Sequence, residues 1–404
     1  MDISNTEGQL SIMDISKKEE PLSKEEQLSK IEHIPANASI DKGALLEYRI
    51  KRLLFNMGYF TQNNIILKTM PQEPSDIITD LDAFGVRFAT DFSCQTNWTD
   101  CKSGKADVLK HISWINGVKS KAEINSVIFI KNNVRKTAKE YAQTLGIKVC
   151  DTDMITQLEK CFEIDSEDWS GSYDYKLLKT LPDIFTKISV PDNRTYKNIF
   201  SYYTSTYWVM DPFTQVKKCI SGIKQLNEFY SLPLGQEQKF SIKWMLLSLI
   251  SLFILSTFKI CGQLFYYDKH EKKEHILNGI MSGSIPIAKQ NEIKSIAFRM
   301  ATELITQKIP DFDSSTFNQV VKSTPPSYFE AYYDLVLRIS ENPTAWCDIL
   351  RQLDYAMMEY ELKGIQPTKG KEFNTQSKTC FKTILYFIIY STGLPKEMFA
   401  ILLE

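Results

Sequence analysis

An excess of charge of either sign is missing from this chain. Its 404 residues carry 48 Lys and Arg against 49 Asp and Glu, a formal net charge of −1. That balance excludes a protein whose whole surface is tuned to nucleic acid or to an anionic membrane, so any such footprint has to be local. Metal-site patterns are scarce as well. There are four histidines, and the eight cysteines (Cys94, Cys101, Cys150, Cys161, Cys219, Cys261, Cys347 and Cys380) form no CxxC pair and no His/Cys cluster. Neither a disulfide framework nor a structural zinc site is expected, and reduced thiols point to a cytoplasmic protein. The first thirty residues are polar and charged, which excludes a signal peptide reading. Long hydrophobic runs are limited to one, "WMLLSLISLFILSTF", Trp244 to Phe258, bounded by Lys243 and Lys259. A membrane span needs roughly 20 residues, so this run is expected to be a buried central helix and no stable membrane association is expected; a membrane-associated or partner-binding helix is the other reading. No repeat of fixed period, no Walker-type loop and no nucleophile elbow occurs.

Three regions follow from composition and periodicity. Residues 1–38 are Lys/Glu-rich with few large apolar residues, as expected of a flexible charged tail. From residue 39, Leu46, Ile50, Leu53, Leu54 and Met57 recur at helical spacing, with Ser39 or Asp41 as cap and Gly58 as stop. Three strand-like runs follow, "FTQNNIILK", "IITDLDAFGVRF" and "FSCQTNWTDCK". Next come a helix from Ala106 to about Val118, the short apolar run "SVIFI", the amphipathic stretch "VRKTAKEYAQTLG" and the run "IKVCD". Alternating buried strands and helices predict an α/β layered domain over residues 39–164. Beyond residue 165 the periodicity is mostly helical, apart from "YDYKLL" and "SYYTSTYWVM", which could hold short strands. A mainly α-helical region over 165–404 is expected, serving dimerisation, regulation or targeting, with a homo-oligomer or a partner protein as what it would bind.

The chemistry concentrates between residues 76 and 105. Asp is a poor strand residue, and a buried carboxylate is expensive unless a partner or a cation neutralises it. On a pleated strand Asp80, Asp82 and Phe84 share one face, and on the next strand Trp98, Asp100 and Lys102 share another. If the strands are neighbours, Asp82 and Asp100 approach each other and repel unless a proton or cation lies between them. A hard divalent ion suits that site, since Mg²⁺ takes one or two carboxylates plus substrate phosphate. Lys102 can then orient or polarise a water, and Glu47 on the first helix can reach toward the sheet. Such a set suits metal-assisted hydrolysis of a phosphodiester.

These residues carry a resemblance. "LDAF" followed eighteen residues later by "DCK", with Glu47 in the first helix and "SGK" after the lysine, resembles the PD-(D/E)xK nuclease superfamily. The resemblance covers roughly residues 43–151 and implies a restriction-endonuclease-like three-layer core. It implies Glu47, Asp82, Asp100 and Lys102 as catalytic residues, with Mg²⁺, or Mn²⁺ in its place, held by Asp82, Asp100, Glu47 and the backbone carbonyl of Cys101. It further implies a nuclease acting on nucleic acid, DNA in the first place; many members of this layout look like parts of anti-phage or restriction systems. Two departures stand out: no Pro precedes Asp82, and the third-strand acid is Asp where Glu is commoner.

Plainer readings compete at each position. Glu47 could be a solvated helix acid, Asp80 a flanking residue, and Asp100 with Lys102 an exposed edge-strand pair. His111 reads as a helix-surface or packing residue, because no second ligand lies at metal spacing. Ser103 and Lys105 precede a helix start, where backbone N–H groups favour phosphate, and Lys110 lies just beyond them. From Asp100 to Lys148 there are ten Lys and Arg against four acids, a local excess that fits a phosphate backbone or merely two solvated helix faces. The alternative to an enzyme is a non-catalytic scaffold or nucleic-acid-binding protein that keeps the nuclease fold and acts through its helices.

Overall fold

The stripe Leu46, Ile50, Leu53 and Leu54 forms the inner face of the first described helix, α1 (Lys42–Asn56), and Gly58, at φ +89°, turns the chain out of it. A positive φ is strained for any residue with a Cβ, which is why glycine stands there. The computed structural model describes residues 42–71, 74–102, 107–188, 193–283, 287–309, 324–367 and 373–404. The charged tail, the expected caps Ser39 and Asp41, and the expected phosphate contacts Ser103 and Lys105 lie outside the described residues.

Three antiparallel strands follow: β1 (Phe60–Lys68), β2 (Ile77–Phe88) and β3 (Cys94–Cys101). The chain then crosses over through α2 (Val108–Lys121) to β4 (Ser126–Ile130), and through α3 (Lys136–Thr144) to β5 (Ile147–Cys150). Both crossovers give parallel pairs, so the sheet is mixed, in the order β1-β2-β3-β4-β5. A helix between parallel neighbours is what their geometry requires, since a tight hairpin can join only antiparallel strands. α4 (Thr152–Cys161) closes this part, capped by Asp151, which accepts from the Met154 N–H.

Pairing fixes which side chains share a face. Ala83 lies opposite Thr99 and Phe84 opposite Trp98, while Asp100 lies beside Phe129. One face therefore carries Phe84, Trp98, Asp100 and Phe129, and the other carries Ala83, Cys101, Ile128 and Ile130. α1 and α4 cover the second face, with Ile50, Leu53, Leu54 and Ile155 packed around Ala83 and Ile130. Trp114 of α2 meets Trp98 on the first face at 6.0 Å between ring centroids. Helices on both faces of a five-stranded mixed sheet make this an α/β arrangement.

The rest is helical: α5 (Tyr175–Thr186), α6 (Asn193–Thr204), α7 (Pro212–Tyr230), α8 (Gln236–Gln263), α9 (Lys269–Ser282), α10 (Ile287–Thr306) and α11 (Phe329–Glu341). Then come α12 (Pro343–Trp346), α13 (Ile349–Ala356), a π-helical turn at Met357–Glu361, α14 (Thr375–Thr392) and α15 (Ala400–Leu403). By its contacts Ile40–Glu404 is a single unit, so the change of character near residue 165 is a change in secondary structure within one packed body. Phe84 of β2 meets Trp208 and Phe88 meets Phe258 of α8, which joins the helices to the sheet.

Two expectations need correction. "YDYKLL" starts α5 because Asp174 accepts from the Lys176 and Leu177 N–H groups as a helix cap. "SYYTSTYWVM" covers the end of α6 and a 3₁₀ turn at Thr206–Val209, whose Tyr207 is fully buried with its hydroxyl donating to Leu252 O at 2.8 Å. The aromatic, β-branched composition that mimics a strand here serves packing against α8.

The apolar run Trp244–Phe258 lies within α8, which is 28 residues long because polar turns extend it at both ends. α8 is long and apolar enough to cross a membrane, and among the described residues no other helix is; 89% of its most apolar window is buried by the rest of the protein. Three of its hydroxyls bond back along the helix, Ser248, Ser256 and Thr257 each donating to the carbonyl four residues earlier, while Ser251 turns to Asp354 and the buried Ser241 hydroxyl finds no partner among the described residues. At its end, a Cβ on Gly262 would sit 2.4 Å from the Phe92 carbonyl oxygen, in the turn between β2 and β3. Backbone cannot step aside cheaply, so Gly262→Ala is expected to cost about 1–3 kcal/mol through overpacking. Urea unfolding at fixed pH measures it; an unchanged midpoint would show that the turn moves freely away from the helix.

Candidate acidic site at the end of strands β2 and β3

The β2–β3 ladder ends at Ala83 and Thr99. Continuing its register one step sets Asp82 opposite Asp100, on the face of Phe84 and Trp98. Both are buried, with Asp82 6% and Asp100 1% exposed. The ladder closes with a side chain in place of backbone: Asp82 Oδ2 accepts from the Cys101 N–H at 2.6 Å. Among the described residues Asp82 Oδ1 accepts no hydrogen bond, so one oxygen of this buried carboxylate is left over.

Asp100 is held from two sides. His111 Nε2, in the first turns of α2, lies 2.8 Å from Asp100 Oδ2. Lys102 Nζ lies 3.7 Å from Asp100 Oδ1, with its side chain 38% exposed. His111 is in turn stacked on Trp114, at 5.1 Å and 23° between rings, and tilted against Phe129 at 5.0 Å. The reading of His111 as a surface or packing residue is therefore incomplete, because it is also the closest polar partner of Asp100. Sequence spacing could not reveal that contact, since the ten residues between them include the crossover from strand to helix. The only local signal is the Asp107 cap, which accepts from the Lys110 N–H and sets where α2 begins.

The electrostatics follow from burial and crowding. Burial, with the charges of Asp100 and Asp80 adding to it, raises the Asp82 pKa to about 6 against the pull of the Cys101 N–H and Lys102. Burial works against the Lys102 ammonium, but Asp100, Asp82 and Asp80 outweigh it and raise its pKa. Asp80 is exposed, yet its field reaches both groups, which the flanking reading of Asp80 underrates.

The expected residues thus divide. Asp82, Asp100 and Lys102 come together on one face of the sheet end. Cys101 lies between Asp100 and Lys102, with its half-buried side chain toward α1. Its thiol pKa is raised, chiefly by burial and then by Asp82, Glu47 and Asp100. Glu47 is half-buried on α1 and is felt at Cys101. Among the described residues no three His, Cys, Asp or Glu side chains group closely enough to hold a metal ion, so Glu47 does not complete a three-acid cluster with Asp82 and Asp100. Lys110 is outside the acidic cluster, 86% exposed and 3.7 Å from Asp107.

No protein-family model, curated protein or solved structure matches this chain. The site therefore has to be judged on its own geometry. Two buried carboxylates lie together at this end of the sheet, and burial, with the charges of the neighbouring acids adding to it, raises the pKa of Asp82.

Proposed function

We propose that the protein is a divalent-metal-dependent nuclease that hydrolyses phosphodiester bonds, with DNA as the first substrate to test. The observation that carries this reading is the pairing of Asp82 with Asp100, both buried, with Lys102 3.7 Å from Asp100. The order helix, three strands, helix, strand, helix, strand supports a restriction-endonuclease-like core around that pair.

In this reading Asp82 and Asp100 would hold Mg²⁺ or Mn²⁺ through their carboxylates. A bound ion supplies Lewis-acid neutralisation of charge on the scissile phosphate and the leaving oxygen. Lys102 stays an ammonium at neutral pH, because the acids around it raise its pKa. It can orient a water by hydrogen bonding and supply a positive charge where the phosphorane gains negative charge. His111 fixes one oxygen of Asp100, which leaves the other facing Lys102.

His111 is thus a positioning residue. His111→Ala is expected to weaken Mn²⁺ binding about 10- to 100-fold, the usual effect of losing a hydrogen-bond partner of a ligand. His111→Asn, which can still donate, should recover much of it. Titration calorimetry separates this from simple loss of packing, since a packing role predicts equal losses in both variants.

A second reading draws on the two-carboxylate count: a protein that binds nucleic acid or a partner through the same fold without catalysis. Calorimetry with Mn²⁺ decides between them. Heat that disappears in Asp82→Asn supports the enzyme, and no heat in the wild-type chain supports the scaffold.

A further inference from the structure

The flank of the acidic site is aromatic. Trp114 on α2 is 39% exposed and Tyr141 on α3 is 40% exposed. The two helices are neighbours, and the Tyr141 hydroxyl lies 3.2 Å from Ser113 Oγ, beside Trp114 in sequence. Leu109, one helical turn before Ser113, is 51% exposed. Together with Leu109 the two rings leave apolar and aromatic surface open to solvent on two neighbouring helices.

The pair is wired to the acids. Trp114 stacks on His111, and His111 touches Asp100, which faces Lys102. His111 covers one face of the indole, Trp98 meets the ring edge-on at 6.0 Å between centroids, and the residue is 39% exposed. The route from the open ring to the carboxylates is therefore two contacts long.

Charge selects the kind of occupant. Residues 100–148 hold ten Lys and Arg against four acids. Several of these are paired with carboxylates: Lys102 and Lys139 with the more buried Asp100 and Asp151, Lys110 with Asp107 at 3.7 Å and Lys136 with Glu140 at 3.8 Å, the last two pairs being more than half exposed on both sides. Exposed pairs of this kind are weak and screened, so phosphate can displace the carboxylate. A basic surface carrying open aromatic rings suits a polyanion with accessible ring faces. Duplex DNA encloses its base faces within the stack and offers phosphates and groove edges, whereas a single strand offers the faces themselves.

We propose that the α2–α3 flank binds single-stranded nucleic acid, with unpaired bases stacking on Trp114 and Tyr141 and the backbone led to Asp82 and Asp100. The proposal names the substrate class of the site described above and rests on that reading for the cleavage step, not for the binding step. An uncharged peptide is the other occupant such rings could take, and the absence of binding to every nucleic-acid probe would leave that one.

The test is fluorescence anisotropy of the full chain in EDTA, so that nothing is cut. The probes are fluorescein-labelled dT20, the RNA rU20 and a 20-base-pair duplex. The expected result is that at least one single strand binds about ten-fold or more tightly than the duplex, with affinity falling steeply with salt. Trp114→Ala should weaken that binding about 5- to 150-fold and Trp114→Phe much less, as loss of one stacking platform predicts. Lys110→Glu, a change at an exposed side chain that leaves the core alone, should lower affinity and flatten the salt dependence. Equal affinity for duplex and single strand, no binding to any probe, or single-strand binding untouched by both Trp114→Ala and Tyr141→Ala overturns the proposal. Single-strand binding without metal-dependent cutting would remove the nuclease reading and leave this one standing. Cutting of duplex by a chain indifferent to Trp114→Ala would do the reverse.

Discussion

Lys102→Ala is expected to lower metal-dependent cleavage of DNA by about 10²- to 10⁴-fold, the range for losing one group that acts on a proton or a developing charge. The side chain is 38% exposed and belongs to no hydrophobic cluster, so its loss should leave the unfolding midpoint within about 0.5 kcal/mol of the parent. Asp82→Asn should abolish activity by another route. It keeps an oxygen to accept from the Cys101 N–H but removes the negative charge that the cation needs. Because burial raises the Asp82 pKa to about 6, the neutral amide should even relieve the metal-free protein of a charge it holds reluctantly. The pair of outcomes is diagnostic: cleavage strongly reduced in Lys102→Ala and abolished in Asp82→Asn with fold retained, and loss of Mn²⁺ heat in Asp82→Asn alone. Glu47→Gln separates the two-acid site from a three-acid one. A mild effect is expected, since Glu47 is not grouped with Asp82 and Asp100. Cleavage unchanged in Lys102→Ala and Asp82→Asn alike would end the nuclease reading.

The second large effect concerns stability and lies where the sheet part meets the helices. Lys51, on α1, is only 5% exposed, and burial lowers its pKa to about 8, with Asp354 of α13 opposing that shift. Asp354 is itself buried, its pKa raised by that burial, and accepts from Ser251 Oγ at 2.7 Å. Both line a small cavity with Thr61, Tyr203 and Trp244, between α1, β1 and α8. Removing one member of such a pair leaves the other charged and uncompensated. Asp354→Leu is therefore expected to destabilise the protein by about 3–5 kcal/mol, while the double change Lys51→Met with Asp354→Leu should recover most of that loss. Urea unfolding of the four chains gives the coupling, and additive single effects would mean that the two charges do not feel each other.

The same lysine sets a pH dependence whose sign can be worked out. Its folded pKa of about 8 lies below its unfolded value, so between those values the unfolded chain binds the extra proton. Stability from this group therefore rises as pH rises through that window and is flat below about 8. Lys51→Met should remove the rise, which is worth on the order of 3 kcal/mol.

Much of the architecture was legible in residue order. Strand-like runs at Phe60–Lys68 and Ile77–Phe88, short apolar runs at Ser126–Ile130 and Ile147–Cys150, and the helical stripe Leu46–Leu54 mark elements that local chemistry dictates. Strand alternation alone puts Asp82 and Phe84 on one face, and Asp100 and Lys102 on another, before any pairing is known. Local pattern misled where composition answers to a distant partner: Tyr203 and Tyr207 look like strand residues but are shaped by packing against α8.

What residue order determined is the set of chemical groups and the face each occupies on its own element, because side-chain direction has a period fixed by backbone geometry. The tertiary structure alone decided which faces meet. It paired β2 with β3 in the register that brings Asp82 to Asp100, swung α2 so that His111 reaches Asp100, and left Glu47 on the opposite side beside Cys101. Those outcomes depend on loop lengths, on the crossovers and on burial shared among segments far apart in the chain, and no local periodicity encodes such distances.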